Sequence, residues 1–512
     1  MNVAQLLTNS AVHYPKCTAI SIGCEPHLDY ASLHRRSACL SSSLREHTGE
    51  TACVAVTLPN CPEYLEILFG IWRAGFSVAP MNARLSSGEL AFMIEDCGAS
   101  IVFATREQIT FLSPLLSTEI SFIAPGSDRY STALMADPGP QVERGRDDLA
   151  WIFYTSGTTG KPKGAMLSHG NLMAMTLAYY ADVDSLNEHD ALIHIAATSH
   201  ASGLFGLSFI ARASNNIYLE SNNFEVGELV TLINHYSNLS FFMPPTLLRR
   251  LDNFPELLEA DMNNVKTVLL GAAPITPRDL RNGSALFGPK LWNGYGQGES
   301  PCTITALSQS MIARAIADGD ASKLSSVGIA RTGTAVAILD DAGCELSAGE
   351  IGEVAVRGAT VMVGYLNRPQ DTSEALHGGW LRTGDVGRLD ESGCLTLLDR
   401  KKDVIISGGI NIYAREVEDT LCEAAGVHDV AVIGIPDEEW GESVVALVVS
   451  GAENPDHCEL DQYCLEQIAR FKRPKYYSFV DELPRNASGK VLKRQLREDV
   501  LEKGLSALLI PD

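Results

Sequence analysis

The sequence lacks any apolar run long enough to cross a membrane. Its first residues, MNVAQLLTNSAVHYPK, carry His and Pro where a signal peptide would be apolar. Its last residues, LLIPD, are not a peroxisomal address. None of the twelve Cys forms a CxxC pair, and no Cys/His group has zinc spacing. Free thiols in a reducing cytoplasm are the expectation. Positive charge is in short supply: 40 Lys and Arg stand against 63 Asp and Glu, a net charge of −23. That balance argues against a nucleic-acid groove or an anionic membrane surface as partner. It also requires any bound polyphosphate to be held by local cations and N–H groups against an unfavourable field. There is no internal repeat and no low-complexity tract. The remaining composition, 45% hydrophobic and 20% charged over 512 residues, suits a globular chain of two or three domains.

The most informative stretch is YTSGTTGKPKG, residues 154–164. An apolar run from Leu149 to Tyr154 precedes it and reads as a buried strand. A helix-prone segment, Leu172 to Tyr180, follows. Gly lets backbone N–H groups approach an anion, hydroxyls donate hydrogen bonds and Lys supplies charge, so the stretch reads as a phosphate cradle. It is not a Walker A loop, because Lys161 is followed by Pro162 and not by Ser or Thr.

Strand-like and helix-like segments alternate through residues 1–145 and again through 185–310. Residues 54–58, 77–80, 100–104, 191–196 and 265–270 read as strands, and 61–70 and 87–95 as helices. This rhythm predicts an α/β fold with parallel-type sheets packed by helices. Residues 320–400 read as β-rich, and a small α+β unit follows. Ligand sites in open α/β sheets collect at the carboxyl ends of strands. Here such ends carry Ser199-His200-Ala201-Ser202-Gly203, Gly271-Ala272-Ala273-Pro274 and Gly294-Tyr295-Gly296-Gln297-Gly298-Glu299.

Five motifs then carry a resemblance over nearly the whole chain: YTSGTTGKPKG at 154–164, GYGQGE at 294–299, WLRTGD at 380–385, DRKKDVIISGGINI at 399–412 and PRNASGK at 484–490. In this order and spacing they resemble the acyl-adenylate-forming superfamily, nearest to its acyl- and aryl-CoA ligases such as 4-chlorobenzoate- and 4-coumarate-CoA ligase. The resemblance implies a large N-terminal adenylation domain over 1–399, a hinge at 400–403 and a mobile C-terminal domain over 404–512. It implies an ATP-dependent carboxylic acid–CoA ligase that forms an acyl-AMP and then a thioester. ATP, Mg²⁺ and CoA are the cofactors implied, with a homodimer as the assembly left open. The alternative is a stand-alone adenylating enzyme that loads a carrier protein.

Site residues follow from the same resemblance. Thr155, Ser156, Gly157, Thr158, Thr159 and Lys163 would hold the phosphates, and Thr155 with Glu299 would hold Mg²⁺. Tyr295 would stack on adenine, with Gly271, Ala272 and Ala273 on the other face. Asn293 would accept from the adenine amine, and Gly294, Gly296 and Gln297 complete that motif. Asp385 would bind the ribose hydroxyls, assisted by Arg400. Lys490 would bridge carboxylate and α-phosphate as the catalytic residue, with Glu299 and His200 beside it. Lys402 would be the hinge. Arg84, Gly408, Gly409, Trp440, Phe471 and Arg473 would meet CoA. His200, Ala201, Ser202, Gly206, Leu270, Gly294 and Cys302 would line the acyl pocket. The small residues among these predict a roomy apolar pocket for an aryl, cyclic or medium-to-long-chain acid, open beside Gly294, with no buried Lys or Arg awaiting a second carboxylate. The family often has Thr just before the metal Glu; here it is Gly298, so either a backbone N–H or Ser300 would take its part or adenylation would be slower.

Overall fold

In the computed structural model the described residues are 1–48, 52–155, 161–221, 224–251, 254–451, 455–485 and 490–504. Two sheets dominate the large domain. One has seven strands, of which five are parallel neighbours running from the strand Leu149–Thr155 outward to Ser121–Ile123. The other has nine strands, and its centre, from Thr18–Ile22 across to Leu291–Gln297, is parallel.

Helices pack between the two sheets. Every residue from Tyr64 to Arg73 in the helix Glu63–Arg73 is buried, as is every residue from Ser202 to Ile210 in the helix Ala201–Ile210. Buried along nearly their whole length, both lie in the interior and share one core with strands of both sheets, with the buried Glu66 of the first helix paired to Arg36. The N-terminal helix Gln5–His13 is tied down just before its start, where the Asn2 side-chain amide donates to the distant Trp72 backbone carbonyl at 2.6 Å.

A third sheet, of five strands, takes up residues 334–400, the region read as β-rich. A fourth, also of five strands, is built only from residues 405–479, with the helices Ala414–Cys422 and His457–Gln467. A seam of polar contacts joins this small domain to the large one. Arg249 holds Asp279 through two bonds of 2.9 Å and reaches Asp429 of the small domain at 3.4 Å. Arg485 closes on the same Asp429. Arg281 meets Glu423 at 3.1 Å, and Arg415 donates to the Ile275 carbonyl at 2.7 Å.

Two elements differ from the sequence expectation. After the phosphate stretch the chain enters the strand Lys163–Ser168, antiparallel to Leu149–Thr155 with Thr155 opposite Lys163, before the helix His169–Asp182. The GYGQ motif is not the loop after a strand but the end of the strand Leu291–Gln297, which hairpins into Ser300–Leu307. Gly makes this possible: a Cβ at Gly296 would lie 2.6 Å from the Cys302 nitrogen of the partner strand. No helix among the described residues is long and apolar enough to cross a membrane.

Candidate active site

Edges of three sheets and the small domain converge on one point. The seven-stranded sheet delivers Thr155 and Lys163 on its hairpin. Ser156, Gly157, Thr158 and Thr159 lie outside the described residues. The nine-stranded sheet delivers Tyr295, Gln297 and Glu299. The third sheet delivers Asp385 and Arg400, which are direct cross-strand partners. That register explains their ion pair of 2.7 Å.

Asp385 is the hub. Its carboxylate accepts from the Tyr295 hydroxyl at 2.5 Å and from the Gln297 amide at 2.6 Å. Burial and then the Asp385 charge raise the Tyr295 phenol well above its ordinary value, so it stays a donor. Arg400 closes the other carboxylate oxygen. Asn293 is buried at the root of the same strand, 3% exposed. Ala272 follows Gly271 in left-handed backbone, φ +67°, and a Cβ on Gly271 would lie 2.8 Å from the Gly294 carbonyl. The turn and the strand therefore pack backbone to backbone, and Ala273 lies in the same turn.

Glu299 is 8% exposed and accepts from Thr155 Oγ1 at 3.0 Å and from the Tyr365 hydroxyl at 2.7 Å. Lys163 pairs with Asp371 and lies 5.5 Å from the Tyr365 ring centroid. Sequence reasoning missed Tyr365 and Asp371. Only an unremarked Gly364-Tyr365 pair stood in the sequence, and the strand that brings it beside Ala165 could not be read from spacing. A carboxylate beside a hydroxyl fits Mg²⁺, a hard cation that takes few protein oxygens and completes its shell with phosphate and water. A separate grouping, Asp456, His457 and Cys458, is the one set of three metal-capable side chains found close together among the described residues; it stands at a helix start in the small domain.

Gly298 has a steric cause. A Cβ there would meet Thr155 Cγ2 at 2.4 Å and the Phe153 ring at 2.5 Å, so the usual Thr cannot fit this packing. Ser300 cannot take its part, because it is fully buried and shares a 3.0 Å hydrogen bond with Thr360.

Lys490 lies close enough to Asp385, Arg400, Asp403 and Lys402 for their charges to act on it. Burial, reinforced by Arg400, lowers its ammonium to about 8. Small-domain and large-domain groups thus meet at one centre.

The pocket side of the site departs further from expectation. His200 starts the helix Ala201–Ile210, bonds Ser199 at 2.8 Å and meets the Phe153 ring edge-on at 5.3 Å. Burial lowers its imidazole to about 4, so it is neutral. Ser202 and Gly206, four residues apart on that helix, both meet the buried His194. Ser202 bonds the buried His194 at 2.8 Å, and a Cβ on Gly206 would touch His194 and Asn216 at 3.4 Å. Leu270 also belongs elsewhere. Strand alternation turns it into the core with Phe241 and Leu291, while Leu269 packs with Phe205, Phe242, Trp292, Ala201 and Cys302. The space beside Gly294 is filled: a Cβ there would lie 2.3 Å from the Trp292 ring. A buried Arg is present after all, Arg331, but it is committed to the Cys302 and Ala178 carbonyls and to Asp182.

The residues assigned to CoA are spread out. Gly408 and Gly409 have φ of +59° and +78°, and Gly408 N–H donates to the Trp440 carbonyl at 2.7 Å. Trp440 and Phe471 are exposed. Arg473 is captured by Asp461 at 2.6 Å, and its neighbour Lys472 by Glu416, so both cations are paired within the small domain. Arg84 is exposed in the large domain, after the strand Ser77–Pro80.

The profile of the AMP-binding enzyme family matches residues 7–366, and that of the AMP-binding enzyme C-terminal domain matches 416–490. The chain is 34% identical over 487 residues to the feruloyl-CoA synthase of an Amycolatopsis species, covering 94% of this chain and 96% of that one. It is 30% identical to a long-chain-fatty-acid–CoA ligase of Mycobacterium tuberculosis, covering 97% and 98%. The crystal structure of ATP-bound MatB from Rhodopseudomonas palustris superposes with a TM-score of 0.87 at 30% identity, over 98% of this chain and 99% of that one. Matched over both of its parts, the chain belongs to the AMP-binding enzyme family, within the acyl-adenylate-forming superfamily.

Proposed function

We propose that the protein is an ATP-dependent carboxylic acid–CoA ligase. A carboxylate oxygen attacks the α-phosphorus of ATP, the bond to the β-phosphate breaks and pyrophosphate leaves. The CoA thiol loses its proton to solvent, its sulfur attacks the acyl carbon, and AMP leaves. The observation that carries this reading is the convergence of Lys490 from the small domain on Asp385 and Arg400 of the large one.

In this reading Asp385, released from Tyr295, accepts the ribose hydroxyls while Arg400 holds its other carboxylate oxygen. Lys163 leaves Asp371 for the leaving phosphates. Thr155 and Glu299 would hold Mg²⁺, which supplies charge neutralisation at those phosphates. Lys490 stabilises the charge where carboxylate and phosphate meet. His200, neutral beside Phe153, borders the acid without adding a second positive charge. The division at residues 400–403 is part of the proposal. Rotation about Lys402 withdraws Lys490 and admits the Gly408–Gly409 turn, whose missing side chains leave room for a thiol-bearing arm. The aromatic lining beyond Ala201 favours an apolar acid.

The test is acid-dependent pyrophosphate release across aryl, cyclic and fatty acids, with and without CoA. Lys490→Ala should lose adenylation by about a hundredfold or more, as when a charged stabiliser is removed from a preorganised site. The same variant, given synthetic acyl-AMP, should still form acyl-CoA. Transfer to a phosphopantetheinylated carrier protein with CoA inert would move the reading to carrier loading. No acid-dependent signal with either acceptor would overturn it.

A further inference from the structure

The space that could have lengthened the acyl pocket is occupied, and the occupant is fixed from several sides. Trp292 precedes Asn293 and Gly294 on the strand Leu291–Gln297 and is 1% exposed. Its ring lies where any Cβ on Gly294 would point, at 2.3 Å. Its indole N–H donates to the Asp182 carbonyl at 3.2 Å. Phe205 meets it edge-on, with ring centroids 6.4 Å apart. The Arg331 guanidinium lies 5.2 Å from its centroid.

Arg331 is itself immobile. Its side chain is 1% exposed and its nitrogens go to the Ala178 and Cys302 carbonyls and to Asp182. A buried, fully bonded cation under an indole makes the ring costly to move, because a shift would strip partners from a desolvated charge. Ala201, the residue after His200, and Cys302 pack against the same aromatic cluster.

We propose that Trp292, braced by Arg331, is the floor of the acyl pocket and sets its depth. This deepens the ligase reading and rests on it. The site then takes a compact acid, one aromatic or alicyclic ring or a short chain, and rejects long-chain fatty acids. Each further methylene would have to displace Trp292.

The test compares kcat/KM for a one-ring aryl acid with that for hexanoate, decanoate and hexadecanoate, in wild type, Trp292→Ala and Trp292→Phe, each checked for folding by thermal melting. In the wild type the long acids should fall at least about tenfold below the aryl acid, and Trp292→Ala should shift the long-to-aryl ratio by about tenfold or more, since filled apolar pockets discriminate on that scale. Trp292→Phe should shift the ratio in the same direction by less. A ring that only stabilised the fold would lower all acids alike. A wild type that uses hexadecanoate as well as the aryl acid, or two folded variants with an unchanged ratio, would overturn the proposal while leaving the ligase reading intact. Absence of CoA-dependent turnover with every acid would instead remove the ligase reading, and this inference with it.

Discussion

Lys490 carries the clearest residue-scale consequence. In the proposed adenylation its ammonium must be charged to bridge two anions, and burial with Arg400 beside it lowers the group to about 8 from the ordinary lysine range. The charged form is therefore lost as pH rises through about 8. A pH profile of kcat/KM for ATP should show a descending limb there, because that parameter reports the free enzyme. A flat profile through pH 9 would contradict it. Gly298 makes an opposite kind of prediction. Restoring the family's usual Thr in Gly298→Thr should lower adenylation, not raise it, because the added Cβ drives into Thr155 and Phe153. The loss should be about tenfold or more, as for small misplacements of positioning groups, and should be read in pyrophosphate exchange.

At the scale of elements, the segment that presents His200 is held by a residue far away in sequence. The Asn60 amide donates to the His194 and Ala196 carbonyls at 2.9 Å, and its oxygen accepts from the Thr198 N–H at 2.8 Å and hydroxyl at 3.0 Å. Asn60→Ala leaves two carbonyls without these donors. It should cost about 1–3 kcal/mol in urea unfolding and raise KM for the acid more than KM for ATP. Nothing in the sequence tied Asn60 to His200, since 140 residues separate them. What was legible was local: the strands at 77–80 and 265–270 appear at the bounds read from apolar periodicity, and the region read as β-rich holds the strands Thr334–Leu339 and Gly352–Gly358. The motif residues Thr155, Glu299, Asp385, Arg400 and Lys490 could be named only through the family resemblance of the five motifs. Facing was not legible. One residue of register decides whether Leu269 or Leu270 points at the pocket, and one helical turn carries Ser202 and Gly206 to His194. Nor could composition foresee that Trp292, between Leu291 and Asn293, would fold back over Gly294.

For the molecule as a whole, two buried histidines set an acid limit. His169 and His194 are at most 1% exposed, and burial lowers each to about 4. The unfolded chain protonates them first, so their contribution is intact above the ordinary histidine value of about 6.5 and is lost as pH falls towards 4. The upper bound is about 3 kcal/mol apiece. The urea midpoint should therefore drop between pH 7 and pH 5. Joining the two domains, the seam from Arg249 and Asp279 through Asp429 to Arg485 favours the arrangement that brings Lys490 to Asp385. Asp429→Ala should slow adenylation about threefold, the scale of a part-exposed ion pair, while sparing thioester formation from supplied acyl-AMP. Rapid-quench assays of each half-reaction check this. Such a seam is also a timer. Mobile ions screen paired charges at a domain boundary more than they screen a packed core. Rising ionic strength should thus shorten the dwell in the adenylating pose, making the acyl-AMP to acyl-CoA ratio in a quenched reaction a readout of salt.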